Sequence, residues 1–220
     1  MNNNKILILG ATGRTGKHLL SLALARGYEV NILVRDIQKI KIQSDRLKVF
    51  EGTPSDLTVL ASAIENCSIV ISALNISRKS DFPWAKLRTP KDFIEKSIQN
   101  ILCLSNQYPI KSLIVISAWG VSETRNDIPW WFRLMIDYSN IKFGYEAHEQ
   151  QEKLIKSSNL NWTIVRPVVL TNFTKQHKVH FSSNSISKPS LFISRKNVAS
   201  FMLDILETKT FIHQILTISE

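Results

Sequence analysis

Seven short apolar runs recur along the chain, and most are followed by a more polar stretch with helical spacing. The runs cover residues 5–9, 28–34, 47–50, 68–74, 113–116, 162–165 and 214–218. Runs that are apolar at nearly every position are typical of strands buried on both faces of a parallel sheet. The alternation predicts an α/β fold, a doubly wound parallel sheet with strand order 3-2-1-4-5-6-7 and helices on both faces. We expect one domain over residues 1–220.

Capping residues mark the ends of the predicted helices. Gly27 is a good C-terminal cap for the first helix. Ser55 or Asp56 precedes the second helix, Thr89–Pro90 the third, and Ser194 the last.

Two segments of the chain follow no regular pattern. The segment 121–141 is aromatic and irregular, and the next helix is predicted over 145–157. The segment 168–189 is mostly polar. We therefore predict that the substrate side is formed by residues 119–141 and 168–190.

The first strand leads directly into a glycine-rich turn and a helix. Gly10, Gly13 and Gly16 are spaced at intervals of three residues. In this context the first glycine permits a tight turn, and the second lets a pyrophosphate approach backbone N–H groups. The third lets the helix pack closely on the strand, with the positive end of its dipole towards the phosphates. The turn therefore predicts a dinucleotide site.

The composition narrows the possible partners. The chain has 28 Lys and Arg against 18 Asp and Glu, a formal net charge of +10, but these cations are scattered without a basic arm. This distribution favours an anion site over a nucleic-acid surface.

No apolar run is long enough to span a bilayer, and no signal peptide is recognisable. We expect a cytoplasmic protein with a small-molecule substrate and no nucleic-acid or membrane partner, in which Cys67 and Cys103 are reduced core residues.

The residue after the second strand indicates the choice of cofactor. Enzymes that use NAD carry a carboxylate there for the adenosine ribose, whereas this chain has Arg35. Lys39 follows four residues later, and Arg14 lies inside the glycine turn. Three cations suit the 2′-phosphate of NADP, with ordinary surface charge beside Asp36 as the alternative.

Two residues are candidates for the chemistry, and one familiar pair is not. Ser117 ends the fifth strand, where it could hydrogen-bond the nicotinamide carboxamide or a substrate oxygen. His148 is predicted to face the same end, with a helix-surface histidine as the alternative. Tyr138 and Lys142 have Tyr-x-x-x-Lys spacing but lie too early in the chain, so we do not assign them as a catalytic pair. No cluster has metal-ligand spacing, so no metal site is predicted.

With these residues assembled, the chain resembles the atypical short-chain dehydrogenase/reductases of the NAD(P)H-binding, NmrA-like type. Within them it is similar to the biliverdin-IXβ and flavin reductase group. The resemblance is strongest in Gly10–Gly16 and around Arg35, and returns at 116–118, 152–167 and 193–203. It implies a Rossmann fold.

By position, the resemblance implies a set of cofactor contacts. These are phosphate contacts at Thr12, Gly13, Arg14 and Thr15, 2′-phosphate contacts at Arg35 and Lys39, and nicotinamide-side contacts at Leu74, Ser117, Ala118 and Trp119. His148 falls on a family histidine near the cofactor. Four departures weaken the match: Thr53 replaces an adenine-binding Asp, Asn75 replaces a Gly, Val169 replaces a second histidine, and His148 takes the helix position that normally holds the Lys of the Tyr-x-x-x-Lys pair. We keep Thr53 and Asn75 among the candidate cofactor residues.

The function expected from these features is an NADPH-dependent reductase. It would transfer hydride to a flat conjugated acceptor of the flavin, quinone or tetrapyrrole type, with Ser117 orienting the rings and a proton from solvent or His148. A redox-sensing regulator that binds NADP without turnover is one alternative, and an epimerase or dehydratase that retains its cofactor is another. We expect a monomer or a homodimer.

Overall fold

The apolar runs form the strands of one large sheet. A computed structural model of the chain describes residues 5–173, 177–183, 189–208 and 210–220. The strands are β1 Lys5–Leu9, β2 Glu29–Val34, β3 Leu47–Glu51, β4 Ile69–Ser72, β5 Ser112–Ile116, β6 Asn161–Pro167, β7 Val169–Thr171, β8 His180–Ser182, β9 Phe192–Ser194 and β10 Gln214–Ser219. The helices are α1 Arg14–Ala25, α2 Leu57–Ile64, α3 Phe93–Leu104, α4 Trp130–Asp137, α5 Lys142–Lys156 and α6 Arg195–Thr208.

The sheet has the predicted order and one additional strand. Its eight strands lie in the order β3-β2-β1-β4-β5-β6-β10-β8, and all pairs are parallel except β10 with β8. The seven predicted strands therefore form in the predicted Rossmann order. The edge strand β8 and the separate parallel pair β7–β9 were not predicted, because strands of three residues are too short to show a periodic signal.

Each central strand is buried on both faces, as the uninterrupted apolar runs indicate. In β1, Ile6 and Ile8 pack into the core layer that contains α1 and α6, while Leu7 and Leu9 pack into the layer that contains α2, α3 and α5. All four side chains have no exposed surface. Helices therefore cover both faces of the sheet, and the carboxyl ends of the parallel strands are left to form a site.

Three of the predicted caps are present. Gly27 has a positive φ of 85° and closes α1 with a hydrogen bond from its N–H to the Leu24 carbonyl, 3.0 Å long. Asp56, rather than Ser55, caps α2 through hydrogen bonds from two backbone N–H groups. Ser194 accepts the N–H of Asn197 at 3.2 Å and caps α6.

Other local predictions were wrong. Thr89 does not cap α3, which begins four residues later; its hydroxyl instead accepts the Ser77 N–H at 2.8 Å across the loop after β4. The segment 121–141 is not irregular, because it contains a short 3-10 helix at Ser122–Asn126 and the helix α4. Helix α5 begins at Lys142 rather than at residue 145, and Cys103 is exposed rather than part of the core.

Among the described helices, none is long and apolar enough to cross a membrane.

Candidate functional site

The glycine turn leaves no room for side chains at two of its positions. Gly10 has a φ of 82°, and a Cβ atom there would lie 2.7 Å from the Ala73 carbonyl oxygen at the end of β4. A Cβ atom on Gly16 would lie 2.0 Å from the Gly10 carbonyl oxygen. The turn is thus pressed against β4 and against the first turn of α1, and both contacts require glycine.

The amino end of α1 is open to an anion. Gly13 is the N-terminal cap residue, no side chain caps the helix, and its first turn contains no acidic residue. The first N–H groups of a helix have no partner within it, and the helix dipole places partial positive charge beside them. This end of α1 therefore suits a phosphate.

A continuous depression runs along the carboxyl edge of the sheet in two connected parts. The first part, of about 580 Å³, surrounds the glycine turn and is called here the glycine-turn cleft. The second, of about 340 Å³, reaches Ser117 and His148 and is called the His148 cleft. Thr15, Leu74 and Asn75 line both parts, so a single extended ligand can occupy the two.

Most predicted cofactor residues line these clefts. Those in the glycine-turn cleft are Gly10, Thr12, Gly13, Arg14, Thr15, Arg35, Leu74 and Asn75, and those in the His148 cleft also include Ser117, Ala118 and Trp119. Gly16 lies buried beneath the turn. Lys39 and Thr53 line neither part: Lys39 forms an ion pair with Asp36 at 2.9 Å, and the Thr53 hydroxyl lies 3.0 Å from that of Ser55.

The glycine-turn cleft holds more cations than the sequence indicated. Arg78, Lys79 and Arg88 come from the loop after β4, and Arg195 comes from the first residue of α6. The positions of Arg78, Lys79 and Arg88 could have been predicted from the sequence, because a loop that follows a parallel strand starts at the carboxyl edge of the sheet. Arg195 gave no such signal, because it follows the short strand β9 that the pattern did not reveal.

One ion pair crosses the mouth of the glycine turn. Arg14 donates to both carboxylate oxygens of Asp81, at 2.8 and 2.9 Å. These hydrogen bonds from Arg14 lower the pKa of the Asp81 carboxyl. Because both side chains are more than half exposed, the pair adds little stability, and it connects the loop after β4 to α1.

Ser117, which lines the His148 cleft, is hydrogen-bonded to a buried ionic network. Its hydroxyl donates to Oε1 of Glu152 at 2.6 Å. Glu152 accepts Nε and Nη2 of Arg166 at 2.8 and 2.5 Å, and Arg166 also donates to Glu123 at 2.7 Å. Ser117 can therefore act towards a ligand only as an acceptor, through the lone pairs of its oxygen.

Within this network, Glu123 remains charged. Burial raises the pKa of Glu123, but the hydrogen bonds and charge of Arg166, a backbone hydrogen bond and the charge of Lys156 together hold that pKa below its ordinary value. Arg166 is 1% exposed and Glu152 is also 1% exposed, so each charge depends on the other for its solvation.

His148 is a buried residue of the second cleft rather than a helix-surface histidine. Its ring is 3% exposed, lines the His148 cleft and has Nδ1 at 3.4 Å from the Gln151 amide nitrogen. Burial lowers its pKa to about 4, so the imidazole is neutral at physiological pH. A neutral imidazole is a poor acid, which makes solvent the better source of a proton.

Tyr145 was missed by the sequence reasoning, and Tyr138, which was not assigned a catalytic role, lies outside both clefts. The Tyr145 hydroxyl donates to the Trp119 carbonyl at 3.3 Å inside the His148 cleft, and burial raises its pKa to about 12. Tyr138, at the end of α4, is 76% exposed and lines neither cleft.

The buried imidazole predicts a specific pH dependence of stability. In the unfolded chain His148 titrates near its ordinary pKa of 6.5, whereas in the folded chain it titrates near 4. Acid therefore favours the unfolded state, and stability present above pH 6.5 is lost as the pH falls towards 4. The free energy of unfolding of the wild type should fall by about 3 kcal/mol more over this range than that of His148→Gln. Urea unfolding at several pH values measures this difference, and identical pH dependence in the two proteins would contradict it.

The residues around the two clefts suit a dinucleotide. The glycine positions that a Cβ atom would fill, the uncapped end of α1 and the surrounding cations are all features that bind a pyrophosphate. The model of a family described as NAD(P)H-binding matches residues 10–209. The chain belongs to this NAD(P)H-binding family.

Relatives and solved structures agree with this placement. The chain is 25% identical over 214 residues to an oxidoreductase of Pestalotiopsis microspora. The matched residues cover 90% of this chain and 77% of that protein. A short-chain dehydrogenase/reductase of Veillonella parvula in complex with NADP has a TM-score of 0.80 at 21% identity, covering 98% of this chain and 94% of that one. The anaerobilin reductase ChuY of Escherichia coli O157:H7 also has a TM-score of 0.80, at 18% identity, with 98% and 97% covered.

These similarities confirm the predicted NAD(P)H-binding family and the Rossmann fold. The chain spans between 40% and 77% of the length of the first curated relatives it matches.

Proposed function

We propose that this NAD(P)H-binding protein is an NADPH-dependent reductase that transfers hydride to a flat conjugated acceptor of the flavin, quinone or tetrapyrrole type. The observation that carries the proposal is the continuous depression along the carboxyl edge of the sheet. It is cationic around the glycine turn, and it is apolar and aromatic around Ser117 and His148.

Each part of the cofactor has residues suited to hold it. The uncapped end of α1 would bind the pyrophosphate, and Arg35 would bind the 2′-phosphate at the end of β2. Residues 74–75 and 117–119 would flank the nicotinamide. When bound, this cofactor supplies a hydride from its nicotinamide ring.

The walls of the His148 cleft suit a planar acceptor. Trp119, Phe132, Ile141, Tyr145 and Val169 line it, and both segments assigned to the substrate side contribute to these walls. Aromatic and apolar side chains exclude water and pack against flat rings, so the residues act mainly by holding two rings in register. ChuY is named as a reductase of anaerobilin, which supports the tetrapyrrole type among the possible acceptors.

The chain's own groups offer a limited supply of protons. The Ser117 hydrogen is donated to Glu152, His148 is neutral, and burial raises the pKa of Tyr145. The proposed mechanism therefore takes the proton from solvent. Ser117 contributes by accepting a hydrogen bond from the ligand. His148 lines the cleft as a neutral imidazole.

The first prediction concerns cofactor choice. NADPH should bind at least about tenfold more tightly than NADH, because the charge-assisted hydrogen bonds of Arg35 to the 2′-phosphate are lost with NADH. Arg35→Asp should reverse the preference. Lys39→Gln is the matched control, since Lys39 is paired with Asp36 outside the cleft and its loss should leave the preference intact. Calorimetric titration of both cofactors checks this, and equal affinities in the wild type would refute the assignment to NADP.

The second prediction separates orientation from acid catalysis. Ser117→Ala should lower turnover by about ten- to a hundredfold through lost orientation, with little change in NADPH affinity. Tyr138→Phe should leave turnover unchanged, because Tyr138 lines neither cleft. A mechanism that used Tyr138 as proton donor would instead lose about a hundredfold or more in the Tyr138→Phe protein.

The proposed activity is tested by a screen of acceptors. Loss of the reduced-nicotinamide absorbance is followed with flavins, quinones and linear tetrapyrroles, each with and without the protein. Protein-dependent oxidation of NADPH with at least one acceptor class supports the proposal. Binding of NADPH without oxidation in any class would favour a redox-sensing regulator.

A further inference from the structure

Helix α4 has a second apolar face that is turned to solvent. Its inward face is apolar as expected, because Ile136 is buried and Phe132 lines the His148 cleft. The outer side chains lie within an arc of about 100° around the helix axis. They have between 47% and 76% of their surface exposed and are Trp130, Trp131, Leu134 and the cap residue Tyr138. A surface helix ordinarily has one apolar face, turned to the core, so the outer face of α4 has no role in the fold.

The loop after β4 extends this outer face. Phe82 and Trp84 are both more than half exposed, and their rings lie 5.3 Å apart. The Trp84 indole donates to the Tyr138 carbonyl at 2.7 Å, and the Asn140 amide donates to the Trp84 carbonyl at 2.9 Å, which fixes the loop beside the end of α4. The exposed side chains of the loop and of α4 are called here the aromatic patch: Phe82, Trp84, Trp130, Trp131, Leu134 and Tyr138. Exposed apolar surfaces of this kind mark contacts with proteins or membranes.

Lysines without acidic partners surround the aromatic patch. Lys79 and Lys86 are paired across the base of the loop, where the Lys79 N–H donates to the Lys86 carbonyl at 2.9 Å. Lys91 and Lys142 both lie over the Phe143 ring, at 3.8 and 5.2 Å from its centroid. Within the described part of the chain, none of these lysines forms an ion pair.

The carboxylates near these lysines are already paired. Asp81 and Asp137 are the only acidic residues of the segment 77–91 and of α4. Asp81 accepts hydrogen bonds from Arg14, and Asp137 accepts one from Arg125. The edge of the aromatic patch therefore carries positive charge that nothing described in the chain compensates.

We propose that the aromatic patch and its lysines dock this protein on an anionic lipid surface. Indole and phenol rings favour the boundary between headgroups and acyl chains, and lysines beside them attract anionic headgroups. The Trp84 N–H already has a partner within the chain, so this ring can enter the boundary without an unpaired donor.

The charge of the chain favours a lipid surface over a second copy. Two copies that met through the aromatic patch would bring their unpaired lysines together, in a chain whose formal net charge is already +10. The expectation of no membrane partner rested on apolar runs too short to span a bilayer, and docking on a surface needs no such run.

Binding to vesicles tests the proposal. Co-sedimentation is measured with vesicles of phosphatidylcholine alone and with vesicles of equal parts of phosphatidylcholine and phosphatidylglycerol. The protein should bind the anionic vesicles at least about tenfold more tightly, and added salt should weaken that binding. A protein with both Trp130→Gln and Trp131→Gln should bind the anionic vesicles at least about tenfold more weakly than the wild type. Neither tryptophan lines a cleft, so its dissociation constant for NADP⁺ should be unchanged.

Two leucines with similar exposure locate the effect. Leu134 in the aromatic patch is 47% exposed, and Leu57 at the start of α2, which packs beside β2 and β3, is 43% exposed. Leu134→Gln should weaken binding to the anionic vesicles by about fivefold, whereas Leu57→Gln should leave it unchanged.

Three results would overturn the inference. The first is equal binding to the neutral and anionic vesicles, or binding to neither. The second is an equal loss of binding in the two leucine variants, which would show that the aromatic patch is not the contact. The third is a dimer that the double tryptophan variant converts to a monomer in analytical ultracentrifugation, which would assign the aromatic patch to self-association. None of these measurements involves turnover, so each outcome is independent of the proposed reductase activity.

Discussion

Gly13→Val is expected to abolish NADPH binding and to leave the protein folded. Gly13 lines the glycine-turn cleft at the amino end of α1, so a side chain there takes up space needed by a pyrophosphate. Its backbone is extended, with φ −72° and ψ 166°, a conformation that valine adopts readily. A Cβ atom on Gly13 would lie 3.1 Å from the Gly10 carbonyl oxygen, its nearest neighbour, which requires only a small shift.

Titration with NADPH and thermal unfolding measure the two halves of this prediction. Affinity should fall by about a hundredfold or more, the size of several lost backbone contacts to phosphate. Gly16→Ala provides a contrast, because its Cβ would lie 2.0 Å from the Gly10 carbonyl oxygen and should damage the fold itself. A folded Gly13→Val protein that binds NADPH as tightly as the wild type would mean that the turn has only a structural role.

Glu152→Ala is expected to cost about 3–5 kcal/mol of the free energy of unfolding. The substitution leaves the guanidinium of Arg166, which is 1% exposed, without its buried counter-charge, and it removes the acceptor of the Ser117 hydroxyl. A buried charge that loses its partner retains its full desolvation cost. Much of the protein's stability therefore depends on this one carboxylate.

The matched control lies one turn earlier on the same helix. Glu149 forms an exposed ion pair with Lys153 at 3.0 Å, so Glu149→Ala should change stability by less than about 1 kcal/mol. Chemical unfolding of the three proteins at neutral pH gives both values. If the two variants lose similar stability, the Arg166–Glu152 pair does not have the structural role assigned to it.

The central sheet and the glycine-turn part of the candidate site were predictable because their signals are local. Residues 5–16 contain a complete strand, turn and helix start within one short stretch, and the chemistry of that unit follows from its glycines. Arg35 could be placed because it directly follows a strand whose position in the sheet was known. Double burial of the strands is visible in sequence as an uninterrupted apolar run.

The remainder depended on contacts between residues far apart in the chain. Ser117 was expected to face a ligand, yet its proton is donated to a glutamate 35 positions away. Thr89 has the features of a helix cap, but the loop after β4 uses its hydroxyl to hold Ser77. Arg195 enters the site through the short strand β9, whose three residues carry no periodic signal. Such pairings are set by tertiary packing, which a local pattern does not encode.

The reductase proposal is tested most directly by a stoichiometric reaction of NADPH with one acceptor in the presence of excess protein. The absorbance of the reduced nicotinamide and that of the acceptor are recorded together in a stopped-flow instrument. Hydride transfer predicts that both signals change at one rate and by equivalent amounts, that Gly13→Val abolishes both changes, and that the reaction without protein is far slower. Tight binding of NADPH with an unchanged nicotinamide absorbance, for flavin, quinone and tetrapyrrole acceptors alike, would contradict the account.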